Sequence, residues 1–109
     1  MQQTEMFETE RMPIELQHIE SWKICWGWNG PVAGEYCQVN TPIVEKENGE
    51  RLYCYMERCK LIMEMIDGRW LVEIDMPLQN GKQWSKNGTR LLLGITDIWP
   101  NCRHFEHDA

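Results

Sequence analysis

A chain of 109 residues with 42% hydrophobic and 26% charged side chains can build one domain with its own core and is too apolar for a disordered segment. No stretch approaches the roughly 18 apolar residues of a membrane-spanning helix, and the acidic opening MQQTEMFETE lacks the basic start and apolar run of a secretory signal. The net charge of −6 opposes direct nucleic-acid binding, which needs a basic footprint.

These absences place the chain in the cytoplasm, where its five cysteines would stay as free thiols and the Asn87-Gly88-Thr89 glycosylation sequon would be idle. The acidity is uneven. Residues 1–20 carry Glu5, Glu8, Glu10, Glu15 and Glu20 against Arg11, while residues 21–100 are nearly balanced. Residues 1–12 are therefore read as an acidic arm and residues 13–109 as a single domain. Such an arm suits a partner protein with a basic surface, although solvated acidic ends also serve solubility alone.

In chain order, the first element is PIELQHIESW, where Pro13 stands at a good first helical position and predicts one short helix. SWKICWGW alternates, with Trp22, Ile24, Trp26 and Trp28 on one side and Lys23, Cys25 and Gly27 on the other, which predicts a strand. NGPVAG is a loop rich in breakers. EYCQVNTPIVEK reads as strand interrupted at Pro42, followed by RLYCYM across Asn48-Gly49. A two-residue turn there would set Lys46 opposite Arg51, so a longer loop is expected.

The clearest element is CKLIMEMIDGRWLVEIDM. Asp67-Gly68 fits a two-residue type I′ turn. That register pairs Met65 with Trp70, Met63 with Val72, Leu61 with Ile74 and Cys59 with Met76 on an apolar face. Glu64, Ile62 and Lys60 then oppose Leu71, Glu73 and Asp75 on a mixed, solvent-side face. MPLQNGKQWSKNG is a polar connection, and TRLLLGIT is a late strand apolar enough to be central. Together these elements predict a mainly β fold, a small antiparallel barrel or sandwich of about five to six strands with one short N-terminal helix.

Candidate chemistry is sparse. Cys54 and Cys59 stand at a spacing that zinc sites use, and Cys102 and His104 in the terminal NCRHFEHDA could complete four ligands. His107 is an alternative, and Cys25 with Cys37 is a further pair. Against zinc, the close C-x2-C knuckles of ribbons and fingers are missing, and Cys59 falls on the apolar hairpin face as a small hydrophobe. No local signature marks any cysteine as a nucleophile. Glu73 and Asp75 read as a charged solvent face.

The six tryptophans are the remaining signal. Trp22 and Trp26 are expected in the core. Trp28 sits at a loop edge, Trp99 beside a loop, and Trp84 among polar residues, so Trp84, Trp28 and Trp99 are the candidate partner contacts, joined by Glu5, Glu8 and Glu10 of the arm. The leading expectation is a small non-enzymatic binding protein acting by protein–protein contact, such as an acidic inhibitor or accessory factor of phage or mobile-element type. A homodimer is the plain version of the same idea. A zinc-stabilised module is one alternative, and a Trp-based carbohydrate-binding domain is another. No cofactor is expected apart from that zinc.

Overall fold

The computed structural model describes residues 13–54, 56–76 and 86–101. Its strands are β1 (Tyr36–Val39), β2 (Ile43–Lys46), β3 (Arg51–Tyr53), β4 (Arg58–Glu64), β5 (Trp70–Ile74), β6 (Arg90–Leu93) and β7 (Ile98–Pro100). They form one antiparallel sheet in the order β3-β2-β6-β5-β4-β1-β7. The mainly β expectation holds, with seven strands rather than five or six. The late apolar strand is central, as β6 between β2 and β5. β7, three residues long, is too short to carry a readable period.

The same device builds both hairpins. In one, Gly49 N–H donates to Lys46 O and Lys46 N–H to Glu50 O; in the other, Gly68 N–H donates to Met65 O and Met65 N–H to Arg69 O. Each loop therefore has three residues and ends on a glycine with φ near +90°, the geometry that a side chain resists. Asn48 Oδ1 accepts from Glu50 N–H, and Asp67 Oδ1 accepts from Arg69 N–H. The longer loop at Asn48 replaces the like-charge pair by Glu45 opposite Arg51, with Lys46 bridged to Glu50 at 3.5 Å.

At Asp67-Gly68 the two-residue turn is corrected to three, which slides the register by one. A bulge between Leu61 and Met63 slides it once more. Cys59 thus pairs with Ile74, Leu61 with Val72 and Lys60 with Glu73. Two single slips restore the side-chain parity, so beyond the bulge Cys59, Leu61, Val72 and Ile74 still share the buried face.

The ladder does not close into a barrel, yet connectivity forces it to curl. β1 and β2 stand four places apart in the sheet, about 19 Å if flat at roughly 4.8 Å per strand. Only residues 40–42 join them, and the four Cα steps from Val39 to Ile43 reach at most about 15 Å. Cys54, Met56 and Glu57 follow the same bend: Cys54 N–H donates to Pro42 O, Met56 N–H to Val39 O, and Val39 N–H donates to Glu57 O. Met56 takes the corner at φ 67°, a strained value for a side-chain-bearing residue. The concave face gathers Val39, Val44, Leu61, Val72, Ile74, Leu91, Leu93 and Ile98 into one core.

SWKICWGW is not a strand. The chain forms α1 (Ile14–Ser21) and continues as a π-helix over Trp22–Trp26. Trp22 is buried while Ile24 is 78% exposed, so the alternation does not mark one face. Trp22 and Trp26, four apart, fit a helical turn as well as they fit a strand, and packing decides. Gly27 ends the helix at φ 67°, its N–H donating to Lys23 O, as a left-handed cap does. α1 packs on the 3-10 turn Ile95–Asp97, and the π-helix packs on β7.

Candidate functional site

Where the helix meets β7, five rings run in sequence. Trp26 lies 6.0 Å from Trp99, Trp99 5.1 Å from His18, His18 5.2 Å from Trp22 and Trp22 4.8 Å from Trp28, all tilted or edge-on. Such edge contacts add to the burial they accompany. His18 Nε2 lies 2.7 Å from Ile98 O. A carbonyl only accepts, so this nitrogen carries the proton and ties the helix to the outermost strand.

The two ends of that series, Trp26 and Trp28, face an open cleft of about 330 Å³. Gly27 and Gly34, Glu35 and Tyr36 at the start of β1, and Pro100 and Asn101 at the end of β7 also line it. β1 pairs with β7, Cys37 opposite Pro100, which brings Tyr36 and Asn101 to the same end of the sheet. Gly34 N–H donates to Leu61 O, and Leu61 N–H to Glu35 O, so the loop before β1 is fixed to β4. The Arg58 guanidinium stacks on Tyr36 at 4.6 Å from the ring centre, its Nε donating to Asp75 O. Among the described residues Glu35 is the one formal charge in the walls, and it is exposed. Asn101 Nδ2 is buried with no hydrogen-bond partner among the described residues.

Of the expected contact residues, Trp28 lines this cleft and Trp99 is a half-buried ring behind it, wedged between His18 and Trp26. Trp84, Glu5, Glu8 and Glu10 lie outside the described residues. Of the candidate zinc ligands, Cys102 and His104 also lie outside them, whereas Cys54 and Cys59 are fully buried. Cys37 sits directly across the ladder from Cys59, far from the expected pairing with Cys25, which is exposed on the π-helix. Burial pushes the thiols of Cys37 and Cys54 up to about 12, Cys54 also through the charge of buried Glu57, and raises Cys59 well above its ordinary value. Neutral thiols are poor metal ligands and poor nucleophiles. Among the described residues no group of three or more His, Cys, Asp or Glu is placed to hold a metal ion.

His18, Tyr36, Glu35, Pro100 and Asn101 were not legible as site residues. The π-helix and the β1–β7 pairing bring them together, and neither has a local signal. Gly27 after Trp26 is the exception, since a glycine there is a helix stop. Comparison with protein-family models, with curated proteins and with solved structures gives no match. No described helix is long and apolar enough to cross a membrane.

Proposed function

We propose that this chain is a small non-enzymatic binding protein that acts by protein–protein contact through the Trp26–Trp28–Tyr36 cleft, in the manner of an acidic inhibitor or accessory factor. The observation that carries the reading is the make-up of the walls: three aromatic rings and a proline held by backbone bonds around an open hollow. Trp and Tyr are enriched at the centres of protein contacts because they offer large rigid area at small entropic cost. Pre-set walls also lower the cost of ordering on binding. The net charge of −6 favours a partner with a basic surface.

A Trp-based carbohydrate site is the second reading. It is favoured by the walls themselves, where aromatic rings stand beside the polar residue Asn101, the combination that sugar-binding sites use. The test is native mass spectrometry of the protein isolated from the cells that make it, beside folded Trp28→Ala and Tyr36→Ala variants. The expected result is a complex with a second polypeptide that both variants lose. Retention of that polypeptide by both variants would sink the cleft as the contact. Tryptophan fluorescence that responds to oligosaccharides, with no polypeptide bound, would put the carbohydrate reading in its place.

A further inference from the structure

Resting on the reading of the cleft as a protein contact, we propose that the group it receives is the guanidinium of an arginine presented by the partner. Three features of the walls point to that chemistry. Trp26, Trp28 and Tyr36 are aromatic, and the faces of such rings attract cations, Trp most strongly. The one formal charge among the described wall residues, the Glu35 carboxylate, is negative. The open cleft of about 330 Å³ has room for one long side chain.

The choice of arginine over lysine comes from the molecule's own packing. The Arg58 guanidinium already sits over the Tyr36 ring, its central carbon 4.6 Å from the ring centre, while its Nε donates to a backbone carbonyl. A guanidinium is weakly hydrated, stacks on rings and keeps in-plane donors free for a carboxylate, whereas an ammonium is a compact, strongly hydrated charge. An incoming arginine would stack between the indoles and direct its donors to Glu35, a charge-assisted pair. Among the described residues, two cations stand near the cleft without forming its walls. Arg58 is engaged with Asp75 O, and Lys60 lies across the ladder from Tyr36, with Glu73 opposite it on the other side. They set the requirement that the guest's charge be met by Glu35 and not by the sheet.

The experiment follows the indole N–H signals of the full chain by NMR, with Trp28 assigned from Trp28→Phe. The titrants are capped Ala-Arg-Ala, its citrulline counterpart, Ala-Lys-Ala and a proline-rich peptide. Citrulline keeps the shape of arginine and removes its charge. The expected outcome is saturable shifts at Trp28 with the arginine peptide and binding at least about tenfold weaker for citrulline, the scale of losing one charge-assisted contact. Glu35→Gln, an exposed and nearly isosteric change, should weaken the arginine peptide several-fold and leave the free spectrum intact. Equal binding of citrulline, a preference for lysine, or indifference to Glu35→Gln would each overturn the arginine assignment. Preference for the proline-rich peptide at the same indoles would overturn it too, while leaving the protein-contact reading in place.

Discussion

Two regions of this molecule hold soft, apolar groups at high density and treat them in opposite ways. Around β1 and β4, Cys37, Cys54 and Cys59 are sealed from solvent with Glu57 beside them. At the junction of the helix with β7, His18, Trp22, Trp26, Trp28 and Trp99 touch edge to face, yet of these only Trp22 is sealed. Sealing keeps the thiols of the first region protonated near neutral pH, and a protonated thiol is a weak nucleophile. Partial exposure makes the second region a wall on which a ligand can stack. Residue type alone does not separate the two cases. Cys25 is exposed on the π-helix, whereas Cys37, Cys54 and Cys59 are buried.

The largest effect should come from crossing that boundary with two neighbouring rings. Trp22→Ala empties a fully buried site under both His18 and Trp28 and should cost about 3–5 kcal/mol. Trp28→Ala removes a half-buried ring and should cost about 1–2 kcal/mol. Denaturant unfolding of both variants against the parent measures the gap. Equal losses would mean that the cleft wall is as structural as the core, and the contrast between the two regions would fail.

The thiols sharpen the contrast through pH. The folded Cys37 thiol is raised from 9.0 to about 12, so its stabilising contribution is complete below pH 9 and is lost as pH climbs from 9 towards 12. One proton corresponds to a slope of at most about 1.4 kcal/mol per pH unit. Unfolding free energies measured from pH 8 to 11 should fall less steeply in Cys37→Ala than in the parent. Parallel curves would show that Cys37 ionises freely in the folded state and is not sealed.

How much of each region the sequence discloses follows the same division. The sealed face of β4 and β5 was readable because period-two alternation survives any even slip of register. The individual pairs were not, since Asp-Gly serves a three-residue loop as well as a two-residue one, and nothing in Leu61-Ile62-Met63 announces a bulge. The burial of Cys59 was readable from its place on the apolar face. The burial of Glu57 was not, because the bend of the chain around Met56, a long-range feature, puts it there. The cleft was half readable: Trp28 stood out at a loop edge, whereas Trp26 read as core because the segment read as strand. Pro13 before Ile14 and Gly27 after Trp26 are the start and stop signals of one continuous helix, and the alternation of Trp22, Ile24, Trp26 and Trp28 over seven residues masks them.

The smallest effect concerns the turns, which hold both regions in register. At Asp67 the carboxylate lies below its ordinary value chiefly because Arg69 N–H donates to it, and next because the Arg69 side chain does. Arg69 also reaches Glu45 at 3.2 Å, tying the hairpin tip to β2. These exposed ion pairs contribute little by themselves. The twin turn identifies what matters, because Asn48 accepts the same backbone N–H from Glu50 without any charge. Asp67→Asn should therefore leave the melting temperature near that of the parent at pH 7, and Asp67→Ala, which removes the acceptor, should lower it. The carboxylate's contribution is present above pH 3.8 and lost as pH falls below it, so the Asn variant should lose less stability between pH 5 and 3 than the parent. If Asp67→Asn melts as low as Asp67→Ala at pH 7, the charge and not the backbone acceptor holds the turn, and the two hairpins are alike in shape only.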